Sequence, residues 1–396
     1  MAKLPVIDAD PTLEAVDQAI VERESKNLTR PYLGASSIGR PCSRELWYGF
    51  RWVLPPTLDA ATLKRFEDGH RDEDLMAERL RLVPGIQLWT IDPRTAYQFG
   101  IADHGGHFRG HLDGVIQGIL QAPKTTHVWE HKCTNEKKQA ELDKLKAECG
   151  GKAALQKWDE TYYGQALIYM HYMNLSRHYL TVSSPGGRKQ TSCRTNASSK
   201  QASLLINKAK RIIQSPTPLE KLSDKPEYYQ CKWCSFSSVC HGGKLPSINC
   251  RTCAHATPEM DDNGRWSCAL YKGDIPEAFQ RKGCPRHLYI PAFLPYKVVD
   301  ASQEENWIEY EKPDGAKFRN GDGYYSSEEL KICDHAILGD KGVEALKKPS
   351  TPDWLKPPSL DRTDPSTIDV MAPLPVPSAS TSSATGSDSA RGSERV

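Results

Sequence analysis

Three of the chain's 12 cysteines fall within ten residues, in the stretch CKWCSFSSVC, as Cys231, Cys234 and Cys240. A thiolate metal site takes four ligands. The C-x2-C-x5-C spacing therefore leaves one ligand to be carried in from elsewhere, and its position dictates which segments of the chain must meet. A zinc knuckle would draw it from nearby, from His241 or Cys250. Metal rather than disulfide is expected for clustered cysteines in a reducing compartment. The N-terminus, MAKLPVIDADPTLEAVD, has no basic patch followed by an apolar stretch, which predicts no signal peptide and a cytoplasmic location. Mean hydropathy is −0.60. No apolar run approaches the roughly 20 residues that span a bilayer, so no membrane partner is expected. The formal net charge of +2 neither requires nor excludes a nucleic-acid partner, because a basic groove can form on a near-neutral protein.

The 396 residues give room for one good-sized core and a smaller module. Over 59–82, Leu63, Phe66, Leu75, Met76, Leu80 and Leu82 recur at helical spacing between charges. YQFGI, FRGHLDGVIQGIL and THVWEHKCT then read as strands, with QAPKT (121–125) as the turn joining the last two. A charged helix over 135–148 ends at Gly150-Gly151. Residues 161–173 are apolar enough for a packed helix, HYLTVSS and RKQTSCRT form a hairpin around Pro185-Gly186-Gly187, and 198–214 is a further helix. The stretch 307–331 predicts a short hairpin and then a helix beginning at Ser326 or Ser327. From about 349 onward Pro, Ser, Thr and Ala dominate, the composition of a disordered tail. The expected organisation is an N-terminal extension (1–30), an α/β domain (31–245), a cysteine-rich module with the hairpin (246–348) and the tail (349–396), with no internal repeat.

The chemistry concentrates in the middle. GHLDGVI places Asp113 in a strand, and VWEHKC places Glu130 and Lys132 on the next, with the period-2 pleat sending those two to one face and His131 to the other. If the strands pair through the 121–125 turn, Asp113 lies near Glu130. Two carboxylates beside an ammonium make a hard oxygen site suited to Mg2+ or Mn2+, with a lysine near the bound water. The alternative is a surface salt bridge on a half-exposed sheet. Downstream, Gln165 and Tyr169 are spaced i,i+4 on one helix face, and upstream Gly69 and Glu73 lie on a helix beside His70 and Asp74.

In order along the chain these residues read Gly69-x3-Glu73, Gly110-x2-Asp113, Glu130-x-Lys132, then Tyr162-Tyr163-x-Gln165-x3-Tyr169-Met170. Over roughly residues 30–245 the series resembles the PD-(D/E)XK nuclease superfamily, in its RecB-type and phage-exonuclease branch. The resemblance implies a restriction-endonuclease-like core, a mixed central sheet flanked by helices. It implies Asp113 and Glu130 as metal ligands and Glu73 as a further acidic ligand, with His70 as the alternative because many relatives have histidine there. Lys132 would orient or deprotonate the attacking water, and Gln165 and Tyr169 would position the scissile phosphate and the lysine. His131 stands where an apolar residue is usual, and facing the core it would need a hydrogen-bond partner.

The spacing of Cys231, Cys234 and Cys240 also resembles the C-terminal cysteines of AddB-type and CRISPR-associated iron–sulfur nucleases, whose fourth ligand lies far upstream. That likeness implies Cys42, in GRPCSRELWY, as the fourth ligand of a 4Fe-4S cluster closing a very long loop. Cys250-x2-Cys253-x14-Cys268-x15-Cys284 resembles a zinc ribbon, a second, Zn2+ site in which His255 and His287 are possible substitutes. Cys133, Cys149, Cys193 and Cys333 are left as buried or incidental thiols. The implied activity is a Mg2+- or Mn2+-dependent DNA exonuclease of recombination, repair or phage DNA processing, in a bacterial or phage-infected cell. Its partners would be single- or double-stranded DNA and a recombination or single-strand-binding protein. Lys137, Lys138, Arg188, Lys189, Lys208, Lys210 and Arg211 are the candidate phosphate contacts. The alternatives are a non-catalytic, zinc-stabilised DNA-binding or assembly protein with a degenerate core, and a CRISPR spacer-processing nuclease.

Overall fold

The computed structural model describes residues 10–25, 29–261 and 263–347, so the tail expected from 349 onward lies outside the described residues. The chain divides into Met1–Lys348 and Pro349–Val396, and everything below concerns the first unit. Its elements run α1 (Pro11–Ser25), β1 (Leu33–Gly34), α2 (Ser43–Phe50), α3 (Ala60–Arg81), β2 (Gln87–Trp89), β3 (Gly100–Asp103), β4 (Phe108–His111), β5 (Gly114–Gln117) and β6 (His127–Cys133). There follow α4 (Glu136–Cys149), α5 (Ala154–Trp158), α6 (Glu160–Tyr172), β7 (Arg177–Ser183), β8 (Gln190–Asn196) and α7 (Ser199–Gln214). The cysteine-rich region holds α8 (Tyr229–Lys232), α9 (Ser237–Cys240), β9 (Ala256–Pro258), β10 (Trp266–Cys268), β11 (Gly273–Asp274) and α10 (Glu277–Lys282). Last come β12 (Lys297–Ser302), β13 (Trp307–Glu311), β14 (Lys317–Gly321), α11 (Ser327–Ile332) and α12 (Lys341–Lys347).

Local chemistry sets most helix ends. Asp59 caps α3 through the Thr62 amide (2.7 Å), Asn135 caps α4 through that of Lys138 (2.8 Å), and Asp159 caps α6 through those of Thr161 and Tyr162 (both 3.0 Å). Gly150, at φ +79°, ends α4 in a backbone conformation that favours glycine. Ser326 and Glu329 form a reciprocal capping box at α11. The expected hairpin over 307–331 is part of a three-stranded sheet, β12-β13-β14, because the exposed strand β12 pairs on its outer edge.

The central sheet has the order β2-β5-β6-β7-β8, and only the β6–β7 pair is parallel. A parallel step needs a long crossover, which α4, α5 and α6 supply. The sheet is covered on both faces. Trp129, Tyr179, Leu88 and Ile116 pack with Met76 and Ala77 of α3. Val128, Leu180 and Val182 belong to the larger core with Ala166, Tyr169 and Met170 of α6 and Ile212 of α7. On α3 the expected apolar stripe is only partly buried: Leu63 and Met76 are inside, while Leu82 is 80% exposed.

The stretch FRGHLDGVIQGIL, expected as one strand, divides between two sheets. β4 pairs with β1 and β3, whereas β5 joins the central sheet. Asp113 therefore sits in the bend between them, at the mouth of β5, not within a strand. The β5–β6 connection is correspondingly longer than the expected five-residue turn, covering 118–126.

The cysteine-rich region is built into the same core, which includes Cys253, Ala256, Trp266 and Ile290. Arg251, 1% exposed, has its guanidinium 3.6 Å from the centre of the Trp52 ring and 4.7 Å from that of Trp266. It donates to the carbonyls of Phe50 (2.9 Å) and Pro31 (3.0 Å) and to Gln280 Oε1 (3.0 Å). Arg51 answers in the other direction, donating to the Arg251 carbonyl at 3.1 Å.

His107, fully buried beside Trp266 and Phe50, is pulled down to about 4, chiefly by burial and despite a hydrogen bond to the Glu259 carbonyl. Its ordinary value is 6.5. Between those two values the unfolded chain binds more protons, so stability rises with pH through the window and is lost as pH falls. The thermal midpoint should drop on acidification through this range, and more steeply for the wild type than for His107→Gln. Equal slopes in the two proteins would contradict this.

Candidate active site

The β5–β6 register, Gly114 opposite Trp129, carries Asp113 across from Glu130. The Lys132 ammonium lies 2.9 Å from Glu130 Oε2 and 3.9 Å from Asp113 Oδ2, so both carboxylates lie within 4 Å of one cation. The backbone N–H of His131 donates to Asp113 Oδ2 at 2.8 Å, tying the bend to β6. Gln165, at the centre of α6, donates from Nε2 to Glu130 Oε2 (3.0 Å) and, more weakly, to the Tyr169 hydroxyl (3.4 Å). The Tyr162 ring lies 5.5 Å from the Lys132 ammonium. Asp113, Glu130, Lys132, Gln165 and Tyr169 are thus brought together.

Electrostatics agree with the geometry. The Glu130 carboxyl, 2% exposed, is pushed up by burial first and then by the Asp113 charge, with Lys132 opposing and Glu73 adding a smaller push. Burial alone would lower Lys132, but Glu130 and Asp113 outweigh it and hold the amine in its charged form. Burial and the Glu130 charge keep the Tyr169 phenol protonated. Glu73 is half-buried and close enough for its charge to reach Glu130, whereas His70 is exposed on α3.

Gly110, in β4, is the floor of this site. A Cβ there would stand 2.7 Å from Ala35 Cβ and 2.9 Å from the Tyr169 hydroxyl and Cε1. Gly110→Ala should therefore cost about 1–3 kcal/mol of stability and displace Tyr169. Chemical denaturation of the variant tests it, and an unchanged midpoint would show the contact to be soft.

His131 faces away from the site, toward α3. Its Nδ1 lies 3.0 Å from Thr181 Oγ1 and its Nε2 3.0 Å from Ser183 Oγ, so the expected need for partners is met twice. Asp72, in α3, completes that cluster, and sequence reasoning missed it: one aspartate among the charges of a helix carries no signal of burial.

Glu130 Oε1 is buried with no hydrogen-bond partner. A partnerless carboxylate oxygen beside a second carboxylate has the donor chemistry that suits a small divalent cation. Among the described residues, however, no three His, Cys, Asp or Glu side chains stand close enough together to hold a metal ion as placed.

Eight of the twelve cysteines assemble around two cavities. Cys42, Cys231, Cys234 and Cys240 all line one of about 410 Å³, together with His241, Arg40, Arg44 and Tyr162. Cys42 arrives there as the N-cap of α2, its Sγ accepting from the Glu45 amide at 3.4 Å. Gly39 and Gly164 allow the approach, since a Cβ on Gly164 would lie 2.8 Å from the Gly39 Cα. Cys250, Cys253, Cys268 and Cys284 line the other cavity, of about 230 Å³, with His255 and His287. Cys250 is thus on a different cavity from the Cys231 trio. Burial pushes the Cys234 thiol up to about 11 and the Cys250 thiol up to about 12, with neighbouring cysteines adding to each. Both ring nitrogens of His287 are engaged, by Ser327 (2.8 Å) and Thr252 (3.2 Å), and His255 Nε2 meets Asn306 at 2.7 Å.

Several candidate phosphate contacts are already committed within the protein. Lys138 pairs with Asp159 (2.8 Å) and Lys189 with Glu136 (2.6 Å), and Lys208 donates to the carbonyls of Ile38 and Arg40.

The sequence matches no protein-family model and no curated protein. Among solved structures, SSO0001 is similar at a TM-score of 0.34 and 14% identity, over 58% of this chain and 96% of that one. An alkaline exonuclease, LHK-Exo, from Laribacter hongkongensis gives a TM-score of 0.32 and 13% identity, over 50% of this chain and 90% of its own. Its complex with dAMP gives the same values. Superpositions this loose carry no inference about chemistry, which rests on the site itself.

Proposed function

We propose that this protein is a divalent-metal-dependent DNA nuclease, acting as an exonuclease on phosphodiester bonds. The observation that carries the reading is the Lys132 ammonium set between the Asp113 and Glu130 carboxylates, with Gln165 fixing one Glu130 oxygen while the other has no partner. A surface ion pair would not be expected to bury a glutamate to 2% exposure. Asp113 and Glu130 would hold Mg2+ or Mn2+, with Glu73 as the outer acidic group, and the cation would supply Lewis acidity at the scissile phosphodiester. Lys132, kept charged by its two neighbours, donates toward the phosphate and orients the attacking water. Gln165 keeps Glu130 from rotating away, and the Tyr169 phenol stays a hydrogen-bond donor behind it.

The thiol cavities support two further parts of the proposal. Cys42, Cys231, Cys234 and Cys240 would hold a 4Fe-4S cluster, and Cys250, Cys253, Cys268 and Cys284 a Zn2+, both as fold clips. Arg40, Arg44 and His241 line the first cavity beside Glu45 and Asp159, so cationic groups stand close to the thiols that would carry the cluster. Protein prepared without oxygen should contain iron and zinc together, and metal analysis finding zinc alone would remove the cluster.

Incubation with end-labelled single- and double-stranded DNA tests the reaction. Nucleotides should be released only with Mg2+ or Mn2+, release should stop with EDTA, and Asp113→Ala should be silent while still binding DNA. Release by Asp113→Ala at the wild-type rate would remove the assignment.

A further inference from the structure

The face of β6 opposite the candidate active site carries a polar chain for which the proposed chemistry has no role. Trp129 Nε1 donates to Thr181 Oγ1 at 3.0 Å, and Thr181 Oγ1 lies 3.0 Å from His131 Nδ1. His131 Nε2 lies 3.0 Å from Ser183 Oγ, which donates to Asp72 Oδ2 at 3.1 Å. Cys133 Sγ donates to the same carboxylate oxygen at 3.0 Å. His131 and Thr181 are 4% exposed, Ser183 1% and Asp72 5%, so water does not complete these bonds.

Proton counts and distances together favour one direction for the chain. The indole can only donate, and the Asp72 carboxylate can only accept. With Ser183 spending its single proton on Asp72, it accepts in turn from His131 Nε2–H. In an imidazole with one ring proton, Nδ1 is then bare and accepts from Thr181, which accepts in turn from Trp129. The other acceptor within reach of Thr181, the Glu130 carbonyl, is farther at 3.3 Å. The Nε2–H tautomer gives Asp72 both the Ser183 hydroxyl and the Cys133 thiol, whereas an Nδ1–H ring, with Thr181 turned to the Glu130 carbonyl and Ser183 to Nε2, would leave that carboxylate the thiol alone.

A carboxylate this deeply buried and held by a hydroxyl and a thiol costs more than an apolar side chain in the same space. Its location suggests what offsets that cost. Asp72 immediately precedes Glu73, His131 lies between Glu130 and Lys132, and the His131 backbone N–H holds Asp113. We propose that Asp72, Ser183 and His131 are positioning residues, a one-way hydrogen-bond chain that locks α3, β6 and β7 together so that Asp113, Glu130 and Lys132 keep their mutual geometry. The proposal rests on the nuclease reading for its effect on turnover, but not for the tautomer.

The test uses full-length Ser183→Ala, His131→Leu and His131→Gln. A glutamine amide can reach Ser183 from the place of the Nε2–H. Ser183→Ala and His131→Leu should lower kcat about 10–100-fold, the scale of a small misplacement, with KM for DNA unchanged. Both should also bind Mn2+ more weakly by calorimetry, and His131→Gln should recover most of the loss. Nitrogen spectra of the histidine-labelled wild type should show an Nε2–H ring in the signal that His131→Gln removes. Wild-type kcat and Mn2+ affinity in Ser183→Ala, or a doubly protonated or Nδ1–H ring, would overturn the proposal. Should the wild type release no nucleotides at all, the nuclease reading fails, while Mn2+ affinity and the ring spectra still decide this one. If His131→Leu does not fold, Ser183→Ala, which removes one oxygen, decides between the same two outcomes.

Discussion

Replacing Lys132 with alanine is expected to lower DNA turnover by about 10²–10⁴-fold while leaving DNA binding measurable. Among the described residues the ammonium is the one cation paired with both Glu130 and Asp113, and it is 20% exposed, open enough to reach a phosphate. Its removal should not unfold the protein, because Glu130 is already pushed toward its neutral form and can take up a proton in place of the lost partner. Arginine should not restore the rate, since a planar fork does not fit where a point charge sits between two carboxylates. Single-turnover cleavage compared with gel-shift affinity separates the two effects. Undiminished turnover in Lys132→Ala would sink the catalytic assignment, and lost binding with a normal rate for bound DNA would make Lys132 a mere phosphate anchor.

The second large effect is on folding. Arg251→Ala should destabilise the protein by about 3–5 kcal/mol. It empties the space between Trp52 and Trp266 and strips the donors from the carbonyls of Phe50 and Pro31 and from Gln280. A fall in thermal midpoint on the order of 10 °C follows. Arg251→Lys should recover little, because an ammonium cannot stack flat between two indoles while bonding three acceptors. A loss below about 1 kcal/mol would mean that the junction tolerates an empty slot.

How much of this was legible in the sequence depends on how local each signal is. The ends of α3, α4 and α11 were readable because their caps, Asp59, Asn135 and Ser326, act within three residues. The Glu130–Lys132 pair was readable from the pleat alone and the shared face of Gln165 and Tyr169 from helical spacing, but the convergence of the two pairs only from the family resemblance. The bend at Leu112–Asp113 was not, because the alternation of side chains continues through it and only the pairing partners change. The committed state of Lys208 was hidden for a similar reason, since its acceptors are backbone carbonyls that leave no trace in side-chain identity. That Cys42 shares a cavity with Cys231, Cys234 and Cys240 could be anticipated only from a family resemblance, since spacing within a chain says nothing about which remote cysteine returns. Asp72 shows the opposite limit: its neighbours Asp68, Glu73 and Asp74 make it look like one more solvated charge.

The Arg251 junction also has a meaning in time. The Phe50 carbonyl and the Trp52 ring are made some 200 residues before the guanidinium that completes them. At ribosomal rates that interval is roughly 10–40 s. Through it the Phe50–Trp52 segment waits without the guanidinium that fills the space beside its indole, so this part of the core closes only once the cysteine-rich region has been made.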